Sequence, residues 1–164
     1  PNKRIIFVPD ENLGSFTAAQ CPEKEIILFS GYCTTHKRVT PEDVDAARAA
    51  VPDAPVYVHP ECTPAVVAKA DYVGSTAQIV QKVAESSAEK FIIGTEQGII
   101  HKLQKENPDK KFYVLSPKLI CPNMKKTNLD NLLQSLKTMQ LEVVLDKDIA
   151  AGASASLNRM LAVK

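Results

Sequence analysis

The sequence predicts an α/β fold made of repeated three-layer units, in which helices cover both faces of parallel sheets. Short apolar runs alternate with helical patterns along most of the 164 residues, and the connections between them are short. This alternation is typical of a parallel sheet, because two parallel strands must be joined by a crossover, usually a helix. The crossovers are expected to be right-handed. A second observation is that residues 4–13 (RIIFVPDENL) resemble residues 90–99 (KFIIGTEQGI), which indicates a duplicated unit.

Seven strands are predicted from short apolar runs rich in Ile, Val, Phe and Tyr, the residue types that favour a pleated, buried backbone. They are expected at 4–8, 25–29, 55–58, 71–73, 90–93, 111–115 and 141–145.

A helical pattern follows each of these strands, at 13–20, 41–50, 63–69, 76–86, 98–106, 128–139 and 148–162. The second helix has the clearest start: Thr40 is the expected N-cap, Pro41 takes the first helical position, and Glu42 and Asp43 lie in the first turn. Thr127 is the expected N-cap of the sixth helix.

The repeat predicts how the chain is divided. Each copy continues through a helix and a second strand to a cysteine, Cys33 in the first and Cys121 in the second, 88 residues apart. We therefore expect 1–34 to be the second half of an α/β unit, 35–121 to be a complete unit, and 122–164 to be a C-terminal segment that packs elsewhere. A unit of this length would begin about 55 residues before Pro1, so an upstream part is expected.

Composition excludes several classes of function. Twenty basic residues stand against nineteen acidic ones, so nucleic acid and anionic membranes are not expected as partners. No apolar run approaches the roughly 20 residues that span a bilayer, and no signal peptide is visible. Four cysteines without secretory features do not suggest a disulfide framework, so we expect a cytoplasmic protein. On count alone, all four could be reduced, partly buried thiols.

Two loops that follow predicted strands carry candidate chemistry, because functional groups collect at the carboxyl ends of strands in open α/β sheets. In residues 31–36 (GYCTTH), Cys33 and His36 are three positions apart and could point at one metal site. In residues 59–62 (HPEC), Pro60 stiffens the loop, and His59 and Glu61 form a titratable pair suited to acid–base chemistry.

Two further segments are weaker signals when taken singly. Ser75 and Thr76, after Gly74, stand at a strand–helix junction where backbone N–H groups and hydroxyls can bind an anion. The same residues could equally be an ordinary N-cap without a ligand. Cys121 precedes Pro122, a pair common at iron–sulfur ligands but not specific to them.

Considered together, these motifs resemble the quinolinate synthase family over essentially the whole chain. The segments, in order, are PDENLG (9–14), GYCTTH (31–36), HPEC (59–62), ADYVGST (70–76), GTEQG (94–98) and CPNMKKT (121–127). The resemblance implies three similar α/β domains about a pseudo-threefold axis, each contributing one cysteine to a central [4Fe–4S] cluster.

The resemblance also implies roles for individual residues. Cys33 and Cys121 match two of the three cluster ligands, and the remaining ligand is expected upstream of Pro1. Cys21 and Cys62 match no ligand.

Substrate contacts are expected at two of the loops. His59, Pro60 and Glu61 match the substrate-binding segment, with Glu61 and His59 as the catalytic pair, and Ser75 and Thr76 match carboxylate-binding hydroxyls. His36 is expected to contact the site or to orient its ligands.

The implied reaction condenses iminoaspartate (iminosuccinate) with dihydroxyacetone phosphate to give quinolinate for NAD biosynthesis, with the cluster acting as a Lewis acid. The 164-residue chain alone is expected to be inactive, with the rest of the same enzyme as its partner. Two alternatives remain at this level: a three-cysteine iron–sulfur enzyme of the diphthamide-synthesis type, and a non-catalytic truncation product.

Overall fold

The computed structural model describes residues 2–140 and 142–163, which form two compact units with a boundary between Cys121 and Pro122. The first unit alternates strands and helices, as predicted. Its elements are β1 (Arg4–Phe7), α1 (Glu11–Gln20), β2 (Glu25–Leu28), α2 (Thr34–Lys37), α3 (Pro41–Ala50), β3 (Val56–Val58), α4 (Pro64–Val67), β4 (Tyr72–Val73), α5 (Thr76–Glu85), β5 (Lys90–Gly94), α6 (Ile99–Glu106) and β6 (Lys111–Val114).

Two parallel sheets organise this unit. One contains β1 and β2, and the other has the strand order β4-β3-β5-β6. All the strand pairs are parallel, which confirms the predicted sheet type. The repeat is visible in the registers, because Arg4 pairs with Glu25 at the start of β1–β2 just as Lys90 pairs with Lys111 at the start of β5–β6.

The four-stranded sheet is covered on both faces, as the predicted three-layer architecture requires. Successive side chains of a strand point to opposite faces, and the two hydrophobic clusters divide in this way. One cluster joins the β-strand residues Val56, Val58 and Ile92 to side chains of α3 and α4. The other joins Tyr57, Phe91 and Ile93 to side chains of α5 and α6.

Helix starts in this unit follow the sequence signals closely. The Thr40 hydroxyl accepts from the Asp43 N–H, and the Asp43 carboxylate accepts from the Thr40 N–H, so the predicted cap is a full capping box. Pro41 occupies the first turn, as predicted. The short helix α2 was not predicted, because four residues give too little periodicity to recognise.

The second unit contains a 3₁₀ turn (Met124–Lys126) and two helices, α7 (Leu129–Thr138) and α8 (Lys147–Leu161). The prediction of Thr127 as the N-cap of α7 was wrong: Asn128 caps it, because its side chain accepts from the Asn131 N–H.

The prediction of a strand at 141–145 was also wrong over 142–145, which are irregular. Leu141 lies outside the described residues. The described part of the second unit contains no strand to pair with this run, and a strand is stable only within a ladder. Over the described ranges, the helices are also too short or too polar to cross a membrane.

Candidate functional site

The site begins where β2 ends, with Cys33 and His36. Cys33 is the N-cap residue of α2, and His36 follows one turn later, so both side chains face the same region. The His36 Nδ1 atom lies 3.2 Å from the Cys33 Sγ atom and 2.9 Å from a carboxylate oxygen of Glu61. The His36 Nε2 atom lies 3.0 Å from the Thr95 hydroxyl oxygen. Buried His36 therefore joins three loops of the chain.

The His36 Nδ1 atom donates to the Glu61 carboxylate, because a carboxylate oxygen accepts, and Nε2 forms a second hydrogen bond with the Thr95 hydroxyl. Thr95 directly follows β5, so its hydroxyl reaches the Nε2 side of the ring from the next strand end. This hydrogen bond fixes the orientation of the ring. The sequence analysis did not single out Thr95, although it lies within the GTEQG segment that contributed to the family resemblance.

His59 and Glu61 lie beside His36, as expected for residues of one loop that follow β3. The His59 ring stacks on the His36 ring, with centroids 4.7 Å apart and an angle of 16° between the planes. The Glu61 N–H donates to the His59 Nδ1 atom at 3.2 Å. Pro60 is buried between them. His59 and Glu61, the predicted pair, are therefore held by contacts within their own loop and by the imidazole ring of His36 in α2.

The electrostatics of this pair are set by its neighbours. Burial lowers the pKa of His59, and the nearby His36 lowers it further, so His59 is neutral at pH 7. The hydrogen bond from His36 lowers the pKa of Glu61, outweighing the opposing effect of burial. The site thus holds an ionised Glu61 carboxylate next to two imidazoles.

Three of these side chains could bind a metal ion together. The ligand atoms of Cys33, His36 and Glu61 all lie within 4.8 Å of one another. Sequence spacing predicted that Cys33 and His36 could share a site, and the fold adds Glu61 from a loop 25 residues further along. Sulfur and imidazole ligands are typical of transition metals, including zinc and iron.

The loop of Cys121 is tied to the loop of Cys33. The Arg38 guanidinium, directly after α2, donates to the backbone oxygens of Lys118 and Ile120 at 2.8 and 3.1 Å. Lys118 also pairs with Asp43 of α3, at 2.9 Å. The segment that follows Cys33 therefore holds the segment that precedes Cys121.

The two cysteines fit the soft, anionic ligand type that an iron–sulfur cluster requires. Neither cysteine is in a disulfide, and both are partly exposed. Burial raises the pKa of the Cys33 thiol, and a metal that binds the sulfur displaces its proton.

The other two cysteines differ from this pair. Cys62 is 1% exposed, its thiol faces the Gly94 carbonyl oxygen, and burial raises its pKa to about 12, so it remains a protonated core residue. Cys21 is partly exposed at the end of α1.

Ser75 and Thr76 are placed differently from the residues around His36. Ser75 is the N-cap of α5: its hydroxyl accepts from the Gln78 N–H, and the Gln78 side chain accepts from the Ser75 N–H. Both residues are exposed. Across the described residues, no hydrogen bond connects Ser75 or Thr76 to Cys33, His36 or Glu61. They offer a helix N-terminus with free hydroxyl capacity at a neighbouring strand end.

Comparison with known proteins agrees with this arrangement of motifs. A family model described as "Quinolinate synthetase A protein" matches residues 1–162. The chain belongs to the quinolinate synthase family.

Curated relatives support the assignment. The chain is 56% identical over 161 residues to the quinolinate synthase of Alkaliphilus metalliredigens and 51% identical to that of Caldicellulosiruptor saccharolyticus. In both cases the match covers 98% of this chain and 53% of the relative. A relative from Pelobacter propionicus is 50% identical over 163 residues, with 54% of its length covered. The chain therefore spans about half the length of these relatives.

Proposed function

We propose that this chain is the part of a quinolinate synthase that carries two of the three cysteine ligands of a [4Fe–4S] cluster, Cys33 and Cys121. The whole enzyme would condense iminoaspartate with dihydroxyacetone phosphate to give quinolinate for NAD biosynthesis, in the cytoplasm. The observation that carries the proposal is the buried His36, which contacts Cys33, Glu61 and Thr95 and so joins the cysteine loop to the substrate loop.

The third cysteine ligand would come from a further part of the enzyme, since this chain spans only about half the length of its relatives. In the same proposal, 1–34 is half of a unit and 35–121 is a complete one. Segment 122–164 would pack on the first domain of the whole enzyme. Large apolar side chains that are exposed along its two helices support this role, among them Leu129, Leu136, Ile149 and Leu161.

When bound, the cluster would supply an iron atom that acts as a Lewis acid toward the substrate. The chain itself would supply a donor and an acceptor for hydrogen bonds. Neutral His59 accepts from the Glu61 N–H at Nδ1, so its Nε2–H is available to donate to a substrate oxygen. The ionised Glu61 carboxylate can accept a proton from substrate, and His36 holds that carboxylate in place.

Ser75 and Thr76 would hold a carboxylate of the substrate. They stand at the start of the ten-residue helix α5, where exposed N–H groups and the helix dipole favour an anion. The capping bond of Ser75 uses one lone pair of its hydroxyl, which leaves the hydroxyl hydrogen free to donate. Pro60 would contribute by fixing the loop between His59 and Glu61.

A second candidate is a site for one divalent metal ion, favoured by the close approach of Cys33, His36 and Glu61. This candidate uses His36 and Glu61 as ligands and does not require Cys121. The family match over residues 1–162 counts against the alternative of a diphthamide-synthesis enzyme.

The test is anaerobic reconstitution of the full-length protein, meaning this chain together with the further part that we propose to precede Pro1. We expect about four iron and four sulfide ions per chain, a broad visible absorbance, and quinolinate formation from iminoaspartate and dihydroxyacetone phosphate. The 164-residue chain alone, treated identically, should form no quinolinate. One zinc or iron ion per chain without sulfide would favour the single-metal site instead, and turnover by the 164-residue chain would refute the proposed division of the enzyme.

A further inference from the structure

Two buried carboxylates occupy the same position in the two copies of the repeat, next to the two ligand cysteines. In the first copy, Asp10 is 3% exposed, and one of its oxygens accepts from the Asn12 and Leu13 N–H groups at 2.8 and 2.9 Å. Its other oxygen accepts from the Cys33 N–H at 2.7 Å. Asp10 therefore caps helix α1 with one oxygen and holds the cysteine backbone with the other.

Glu96 divides its two oxygens in the same way in the second copy. It is 8% exposed, and one oxygen accepts from the Gly98 N–H at 2.7 Å, just before helix α6. The other accepts from the Cys121 N–H at 3.4 Å. Glu is one methylene longer than Asp, and the loop before Cys121 is two residues longer than the loop before Cys33. The longer acid therefore accompanies the longer loop.

A backbone hydrogen bond accompanies each carboxylate. The Glu11 N–H donates to the Gly31 carbonyl oxygen at 2.8 Å, and the Gln97 N–H donates to the Leu119 carbonyl oxygen at 2.9 Å. Each bond joins the residue after the acid to a residue two positions before the cysteine. The same two-bond clamp thus recurs at both cysteines, which a chance cap at one helix would not produce.

Helix capping alone does not account for this arrangement. A cap needs one oxygen, which a serine or threonine supplies as well as an acid. Burying a carboxylate is costly unless several donors satisfy both of its oxygens. Here the second oxygen reaches 23 residues along the chain to Cys33, and its counterpart reaches 25 residues to Cys121.

The chemical consequence concerns the amide groups of the ligand cysteines. Hydrogen bonds donated to the sulfurs of an iron–sulfur cluster raise its reduction potential, and nearby negative charge lowers it. A cysteine N–H that already donates to a carboxylate is not available to a cluster sulfur. The carboxylate also places a negative charge next to the ligand.

We infer that Asp10 and Glu96 are matched positioning residues, which hold Cys33 and Cys121 for the cluster and keep its reduction potential low by occupying their amide N–H groups. This inference rests on the proposed function, because it requires that the two cysteines bind the cluster.

The test uses Asp10→Ser, Asp10→Asn and Glu96→Gln in the reconstituted full-length protein. Serine retains an N-cap oxygen for α1 but has no second oxygen to reach Cys33. Asparagine retains the cap and size, but presents an NH₂ group to the Cys33 N–H. Glu11→Gln is the control, because it removes a charge at the adjacent, more exposed position without touching a cysteine amide.

We expect each of the three variants to release iron to a chelator about 10-fold faster than the wild type, the lower end of the effect of groups that orient metal ligands. We also expect the cluster midpoint potential to become more positive, measured by redox titration with EPR detection. Glu11→Gln should match the wild type in both. Because Asp10→Asn retains the cap of α1, its effects on iron release and on the midpoint potential should not come from fraying of the helix. Circular dichroism would detect such fraying.

Wild-type rates and potentials in the Asp10 and Glu96 variants would overturn the inference while leaving the proposed function intact. Faster iron release with an unchanged potential would show that both carboxylates have only a structural role, and it would also overturn the inference. Failure of the wild-type protein to bind a cluster would overturn the proposed function and the inference together.

Discussion

The two copies of the repeat have the same local hydrogen bonds but very different cores. In both, a strand is followed by a buried acid that lies just before a helix and accepts from a cysteine N–H. Yet Ile6 of β1 is 72% exposed, whereas Ile92, its equivalent in β5, is fully buried. Strand β1 is exposed along most of its length, and β5 is buried from Phe91 onward.

The neighbours of each strand explain this difference. Strand β5 lies between β3 and β6, in a sheet covered on both faces by helices. Within the described ranges, β1 pairs with β2 alone. The clamp needs only one pair of parallel strands and the loops that follow them, whereas burial of a strand needs neighbours on both sides and on both faces. The comparison teaches that the cysteine clamp forms within one strand pair and that the core requires the complete sheet.

The largest expected effect tests the equivalence of the two cysteines. In the reconstituted full-length protein, Cys33→Ser and Cys121→Ser should each abolish the cluster absorbance, because each removes one of the three proposed cysteine ligands. Cys21→Ser, also partly exposed but at the end of α1, is the matched control and should retain full absorbance. Loss of the cluster in Cys21→Ser would show that the ligands are assigned wrongly.

The next effect concerns a residue that only the complete copy provides. Glu61→Gln in the full-length enzyme should lower kcat about 10²-fold or more, because it removes an ionised proton acceptor while keeping the size of the side chain. Steady-state quinolinate formation measures this. The exposed Glu23→Gln variant should retain wild-type kcat. A kcat within a few-fold of wild type in Glu61→Gln would exclude Glu61 as the proton acceptor.

The difference in burial gives a third prediction. In the 164-residue chain, Ile92→Ala should lower the free energy of unfolding by about 2–5 kcal/mol, because it leaves a cavity in the core. Ile6→Ala should change it by less than about 0.5 kcal/mol. Urea denaturation measures both. In the full-length protein, the cost of Ile6→Ala should rise if the proposed upstream half of the unit covers β1, and an unchanged cost would count against the proposed division.

The smallest effect concerns a contact within the complete copy, between Asp43 of α3 and Lys118 in the loop before Cys121. Burial alone would raise the pKa of Asp43, but hydrogen bonds from Lys118 and Thr40 outweigh it, so the pKa lies below its ordinary value. Asp43 therefore contributes stability above an unfolded pKa of about 3.9, and this contribution is lost as the pH falls through the lower folded value.

Asp43→Asn should thus destabilise the chain by about 1 kcal/mol at pH 7, and the difference from wild type should shrink as the pH falls below 4. Urea denaturation at several pH values measures this. Asp45→Asn, in a more exposed pair with Lys69, is the control and should have a smaller effect. A difference that is independent of pH would show that the charge of Asp43 does not contribute.

Sequence reasoning predicted most of the first unit because its signals are local. The parallel strands, the capping box at Thr40 and the proximity of Cys33 to His36 each follow from a few adjacent residues. The strand predicted at 141–145 failed over 142–145 because an apolar run cannot show whether a partner strand lies beside it. Asn128 was missed as a cap because Thr127, one position earlier, is also a favourable cap residue.

The sequence by itself determined the α/β class, the two matched cysteines and the family. Only the tertiary structure decided which groups meet: Thr95 and Glu61 on His36, Arg38 on the loop before Cys121, and the second oxygens of Asp10 and Glu96 on the cysteine amides. The physical reason is distance along the chain. Periodicity and caps depend on neighbours within a few residues, whereas these contacts join loops that parallel strands bring to one edge of the fold.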